Sequence, residues 1–262
     1  MTESILVKEL GKQYRRYPKD RAWTFQEVFQ WGLRRIRPIH TFWALREVSF
    51  TVSPGHMLGI VGRNGAGKST LLRLLSGVSW PDEGTVEVSG RLDALLDLGT
   101  GFHSDLTGRE NVYVNGVING LTRREITQRF DSIVAFAEVE DFIDSPLRTY
   151  STGMQMRLAF AVATHTHPDI LLIDEVLAVG DLAFQRKCLD RIARFKAEGC
   201  TIVLVSHDTD LVAELCDEAL WLRGGLVAAY GTGADVVRRY VNETASSEQQ
   251  PPDWHALTEL RT

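Results

Sequence analysis

GRNGAGKST, the stretch Gly62–Thr70, places glycines at Gly62, Gly65 and Gly67 ahead of Lys68 and Ser69. That spacing is the phosphate-loop pattern G-x-x-x-x-G-K-[ST]. The run before it, Met57-Leu58-Gly59-Ile60-Val61, is apolar and short, as a buried parallel strand requires. After it, Leu71, Leu72, Leu74 and Leu75 recur at helical spacing. The chain therefore turns from strand to helix through glycines. This turn aims bare N–H groups and the positive end of a helix dipole at a phosphate. Arg63, Asn64 and Ala66 complete the loop. Lys68 is expected to reach the β- and γ-phosphates, Ser69 to meet Mg²⁺ through its hydroxyl, and Thr70 to donate to a neighbouring phosphate oxygen. A chance glycine turn would account for the loop, but not for the strand before it and the helix after it.

A second buried run, Ile170-Leu171-Leu172-Ile173, ends in Asp174 and Glu175. An acid at the carboxyl end of a strand beside such a loop is suited to hold Mg²⁺ through water, the role expected of Asp174. Glu175, one residue further out, is the candidate general base for an attacking water. The competing reading is that one of the two acids merely caps the next segment. A third apolar run, Val203-Leu204-Val205, leads into Ser206-His207-Asp208.

Between the loop and the second strand lies Tyr150-Ser151-Thr152-Gly153-Met154-Gln155-Met156-Arg157. It resembles the signature sequence of ATP-binding cassette (ABC) proteins, commonly LSGGQQQR. Ser151, Gly153, Gln155 and Arg157 match, whereas Tyr150, Thr152, Met154 and Met156 depart from it. Ser151 is placed to cap a helix running through Leu158, Ala161 and Val162, and a capped start with a close-approach glycine suits an anion. The resemblance implies an α/β P-loop NTPase fold, the ABC nucleotide-binding domain, with a RecA-like core, an antiparallel β flank and a helical subdomain. It implies further that Ser151, Thr152 and Gly153 face the γ-phosphate held by an opposite subunit. Lys68, Glu175 and His207 would be the catalytic set, with His207 on the γ-phosphate and the water. Ala178–Asp181 occupies the place of the D-loop, which in the family touches the opposite subunit, and Asp181 equally reads as the N-cap of a helix from Leu182. Tyr14 is the expected adenine platform, with Phe42 or Trp43 as alternatives. The glutamine that family members carry between cradle and signature is missing, since no Gln occurs between Thr70 and Thr127. Asp97 is the nearest polar substitute, or simply the end of a strand.

Longer phrases narrow the resemblance. FWALREVSF, ALLDLGTGFHSDLTGREN, YSTGMQMRLAFAVAT and DEVLAVGDLAFQRKC are similar to ATPase subunits that export bacterial cell-surface polysaccharides on a lipid carrier. That branch implies an ATPase using ATP and Mg²⁺, paired as a homodimer on a membrane permease, itself in two copies, at the cytoplasmic face of the inner membrane. Some members add a carbohydrate-binding domain after the cassette. Here the chain stops soon after Asn242, so sugar recognition is expected to rest with the permease. The rival is a soluble ABC ATPase, for instance of the iron–sulfur assembly type.

The remaining sequence bounds these readings. At 262 residues the chain can bury a full core. Its formal charge of -5 argues against a broad electrostatic grip on nucleic acid. Cys188, Cys200 and Cys216 form an odd set without metal-ligand spacing, as reduced thiols do. No apolar stretch is long enough to span a bilayer, and the N-terminus lacks the layout of a secretion signal. The ATP-binding domain is expected over residues 1–243, with a helical subdomain over about 108–165 and a polar, unstructured tail over 244–262. An insertion over about 15–42 puts Phe25, Val28, Phe29, Leu33 and Ile36 on one helical face and Arg34, Arg35 and Arg37 at its end. Its cations either complement a helix dipole or lie against a membrane partner or acidic headgroups.

Overall fold

The structure is a computed structural model that describes residues 3–16, 40–96, 98–174 and 180–248. The insertion between Arg16 and His40, Asp97, Glu175 and the residues after Glu248 lie outside that description.

Strands β1 (Ile5–Arg16) and β2 (His40–Val52) pair antiparallel along their whole length. Pairing reaches from Ile5 opposite Val52 to Arg16 opposite His40, and the polar and aromatic ends satisfy each other's backbone groups. Strand β3 (Met57–Val61) leads into the glycine loop and helix α1 (Lys68–Leu75). Strand β4 (Glu83–Val88) joins the first sheet in the order β2-β1-β4, and β5 (Leu92–Leu95) begins the second. Helices α2 (Gly108–Ile118), α3 (Arg123–Ala137) and α4 (Thr152–Ala163) follow. The first part of the expected helical subdomain is thus two helices, α2 and α3. The chain turns at Gly120 (φ 79°) and restarts at a capping box of Thr122 with Glu125.

The chain then alternates through β6 (Ile170–Asp174), α5 (Leu182–Ala197), β7 (Thr201–Val205) and α6 (Thr209–Leu215). It closes with the hairpin β8 (Glu218–Arg223) and β9 (Leu226–Thr232) and helix α7 (Gly233–Glu248). The tail expected from residue 244 is therefore corrected in its first part. The last helix continues to Glu248, and Glu243 on it pairs with Arg223. The second sheet has the order β5-β6-β7-β3-β8-β9, parallel except for β9.

Central strands covered on both faces sort their side chains with period two. Leu58 and Ile60 of β3, Ile170 and Leu172 of β6, and Val203 and Val205 of β7 join one core with Leu71, Leu72, Leu74 and Leu75 of α1. The intervening Met57, Val61, Leu171, Ile173, Ile202 and Leu204 join the opposite core with Phe184, Ile192 and Phe195 of α5. Each such fully buried aliphatic side chain contributes roughly 1.5–3 kcal/mol through its removal from water. A third cluster gathers α2, α3 and the outer face of α4. Ile126, Phe130, Ile133, Val134 and Ala137 lie in it, spaced along one face of α3. Among the described residues no helix is long and apolar enough to cross a membrane.

Candidate functional site

Register across the second sheet assembles the site. Ile60 of β3 lies opposite Val205 of β7, which lies opposite Asp174 of β6. The three carboxyl ends are therefore level. The glycine loop, Ser206–His207 and Asp174 leave the sheet along one edge, where open α/β folds bind their ligands.

The loop's glycines are held by contacts as well as by their dihedrals. Gly62 and Gly67 have φ 151° and 110°. A Cβ on Gly62 would lie 2.4 Å from the Leu222 carbonyl oxygen, and one on Gly67 2.7 Å from that of Ala44. Only glycine fits such positions. Lys68, 6% exposed, donates from Nζ to the carbonyls of Gly62 at 2.8 Å and Arg63 at 3.3 Å. Helix α1 has no side-chain cap, so its first N–H groups face the loop. Arg63, Asn64, Gly65 and Ser69 are exposed, Thr70 is half-buried, and Ala66 is buried.

The Gly224-Gly225 turn joins β8 to β9 and has a second use beside the phosphate loop. The Gly225 N–H donates to the Ala66 carbonyl at 3.1 Å, and its own carbonyl accepts from Arg46 N–H at 2.9 Å. A Cβ on Gly225 would also meet the Ala44 oxygen at 2.7 Å. The Ala44 carbonyl thus sits between Gly67 and Gly225, and the β8–β9 turn braces the phosphate loop. A sequence shows the glycine pair but not the distance.

Asp174 is half-buried at the end of β6, and His207 is exposed just beyond β7. Asp208 takes the capping role at the start of α6, where its side chain accepts from Leu211 N–H at 3.0 Å. Ser69 and Asp174 offer a hydroxyl and a carboxylate, the hard oxygen donors Mg²⁺ prefers. Among the described residues no group of three His, Cys, Asp or Glu side chains could hold a metal. The expected base Glu175 and the candidate Asp97 lie outside the described residues, as do Ala178 and Val179 of the D-loop stretch. Asp181 does cap α5, accepting from Phe184 N–H at 2.9 Å.

At the signature stretch, Ser151 Oγ accepts from Met154 N–H at 3.2 Å and caps α4 as expected. Ser151, Thr152 and Gly153 are exposed, and a Cβ on Gly153 would meet nothing nearer than Ser151 Oγ at 3.9 Å. One departure from the common sequence, Tyr150, and one matching residue, Gln155, have local structural roles. Tyr150 is buried and donates from its hydroxyl to the Phe142 carbonyl at 2.7 Å, and burial raises its pKa. Gln155 donates to the carbonyls of Leu147 and Tyr150, tying down the approach to the helix. None of the cavity-lining residues beside the phosphate loop comes from this stretch.

Of the aromatic candidates, Tyr14 and Phe42 face one another across β1 and β2 with ring centroids 6.1 Å apart. Trp43 is half-buried, with Arg46 over its ring at 5.8 Å. The three cysteines are buried and unpaired, and burial pushes each thiol up to about 12. Such thiols are unreactive near neutral pH.

The ABC transporter family model matches residues 45–178. The O-antigen export system ATP-binding protein RfbB of Myxococcus xanthus is 47% identical over 266 residues, covering 98% of this chain and 60% of that protein. The ABC transporter protein AbcA of Aeromonas salmonicida is 50% identical over 77% of this chain and 66% of its own length. The teichoic acids export ATP-binding protein TagH of Listeria monocytogenes is 38% identical, covering 95% of this chain and 73% of that one. The chain thus spans less than two thirds of the length of the first two relatives. Among solved structures, a dimeric post-hydrolysis ATP-binding cassette bound to ADP and Pi superposes with a TM-score of 0.69 at 21% identity. That match covers 87% of this chain and 98% of the cassette. An ATP-binding subunit of an ABC transporter gives 0.71 at 24% identity, covering 91% and 93%. These structural matches speak for the fold.

Proposed function

The chain belongs to the ABC transporter family, and on that premise we propose that it is the ATP-hydrolysing subunit of an exporter of lipid-linked cell-surface polysaccharide. The observation that carries the catalytic reading is the level edge formed by Ile60, Val205 and Asp174, which gathers the phosphate loop, His207 and the acid. The relatives named for O-antigen and teichoic acid export support the cargo class.

In this reading backbone N–H groups of Gly62–Gly67 cradle the phosphates, and Lys68 turns its ammonium from loop carbonyls toward the β- and γ-oxygens. Tyr14 stacks on the adenine. Mg²⁺, held by Ser69 and Asp174, would neutralise charge on the transferring phosphoryl group. Glu175 takes a proton from water while His207 orients it. The water oxygen bonds to the γ-phosphorus, and the bond to the bridging oxygen breaks with its electrons left on ADP. Two copies work together, each presenting Ser151–Gly153 to the other's nucleotide, so hydrolysis loosens the pair.

The helical subdomain, over about residues 108–165, carries that signature surface. The permease docks near Leu98–Asn111 at the cytoplasmic face of the membrane. A cavity of about 190 Å³ between Leu98–Ser104 and Gln155–Met156, and the exposed Val117 and Ile118 of α2, support this placement. Glu175→Gln is expected to form an ATP-bound dimer with turnover lowered by about 10²-fold or more, as removal of a general base does. Size-exclusion chromatography with and without ATP reads the dimer, and phosphate release reads turnover. Rapid hydrolysis by that variant removes Glu175 as the base.

A further inference from the structure

Helix α3 ends at a residue that breaks a local rule. Glu138, its C-cap, is left-handed at φ 57° and ψ 48°. Glycine adopts that conformation at no steric cost, whereas a side-chain-bearing residue is held there against its preference. The two other non-glycine residues with positive φ among those described, Glu9 and Glu47, lie within strands β1 and β2.

The Glu138 carboxylate spans two elements. Its Oε2 meets Arg157 of α4 at 3.1 Å, and its Oε1 meets Lys187 of α5 at 3.0 Å. Lys187 donates in addition to the Phe136 carbonyl at 2.8 Å, at the end of α3. Beneath these charges Phe136, Phe160 and Phe184 pack as a triad, with ring centroids 5.7–6.2 Å apart. One ring comes from each of α3, α4 and α5. Arg157 lies over the Phe184 ring at 5.9 Å and Lys187 over the Phe136 ring at 4.8 Å.

These helices carry particular loads. Helix α4 starts at Ser151 and Gly153, and α5 starts at Gly180 and Asp181. Glu138 is 53% exposed, and ion pairs so wetted add little to folding stability. A strained backbone carrying weak, exposed pairs is explained better by what it aligns than by what it stabilises.

We propose that Glu138 is a positioning residue that fixes α4 and α5 to one another through Arg157 and Lys187, so that Ser151–Gly153 and Gly180–Asp181 meet a second copy of this chain as one rigid surface. The proposal rests on the cross-subunit reading above. It predicts that loss of Glu138 weakens pairing and turnover while each chain's own grip on ATP persists.

The test compares Glu138→Gly and Glu138→Gln in two backgrounds. In the Glu175→Gln background, ATP-dependent dimerisation should weaken about fivefold or more for either variant, a size typical of lost coupling between contacting groups. In the Glu175-intact chain kcat should fall by a similar factor while ATP affinity measured on the monomer holds; the melting temperature should hold for Glu138→Gln and hold or rise for Glu138→Gly, which relieves the left-handed backbone. Arg157→Met and Lys187→Met should be non-additive in kcat when Glu138 is present and additive after Glu138→Gly. Unchanged dimerisation, or a loss that tracks monomer ATP affinity and melting temperature, overturns the proposal. If the parent Glu175→Gln chain itself fails to pair with ATP, the cross-subunit reading falls and takes this one with it.

Discussion

Helices α1 and α4 both begin with residues suited to an anion, yet one start is embedded in the chain and the other is bare. The start of α1 is enclosed by its own fold. Gly67 is pressed against the Ala44 carbonyl, Lys68 is buried on loop carbonyls, and Gly225 hydrogen-bonds to Ala66. The start of α4 is capped by Ser151, but Ser151, Thr152 and Gly153 stand exposed with open space above Gly153. A preorganised phosphate cradle needs its neighbours in place before the ligand arrives. An exposed capped start with a bare glycine suits a ligand delivered by another surface. In the proposed function the contrast separates nucleotide binding, assigned to one chain, from pairing with a second.

The sharpest way to break this contrast is Lys68→Met. Removing the one buried cation of the cradle should lower turnover on the order of 10²- to 10³-fold, with ATP binding by the isolated chain weakened as well. Nucleotide titration of the monomer beside a phosphate-release assay checks both. Normal monomer binding would mean that the cradle does not depend on its lysine.

A second test uses acid. His165, just past the end of α4, donates from Nδ1 to the Ala161 carbonyl at 2.6 Å. Burial lowers its pKa from 6.5 to about 4, with Arg191, Arg129 and His167 acting in the same direction and that hydrogen bond opposing them. The folded pKa lies below the unfolded one, so the unfolded chain binds the proton more readily. The stabilisation is complete above about 6.5 and is lost as pH falls toward 4, up to about 3 kcal/mol. Melting temperatures between pH 7 and 4.5 should drop, and His165→Gln should flatten the slope. Hydrogen exchange should show the third cluster loosening ahead of β3; simultaneous loss would erase the distinction between the two regions.

The smallest effect is expected from Ser151→Ala. Loss of the cap costs about 1 kcal/mol of helix stability. Monomer affinity for ATP should not move, whereas ATP-dependent dimerisation should weaken. A change in monomer affinity would place Ser151 beside its own chain's nucleotide.

Sequence legibility followed the reach of the physics. The buried strands were readable because coverage on both faces makes continuous apolar runs, and the phosphate loop because its glycine, lysine and serine spacing is complete within nine residues. Capping residues Ser151 and Asp181 were readable for the same local reason. Other features depend on distance in space. The brace from Gly225 to the loop joins residues far apart in the chain, and the left-handed Glu138 carries no local signal because glutamate does not favour that conformation. The final helix was cut short in the sequence reading because NETASSE is polar, which hides a helix anchored from outside by Arg223 on Glu243.

The Ala44 carbonyl wedged between Gly67 and Gly225 also bears on biosynthesis. The central strand β3 is flanked by β7 and β8, and the loop that follows it leans on the turn after β8. A growing polypeptide on the ribosome therefore holds an unfinished nucleotide loop until Gly225 has cleared the exit tunnel. Nascent chains released before that point should not be retained on immobilised ATP.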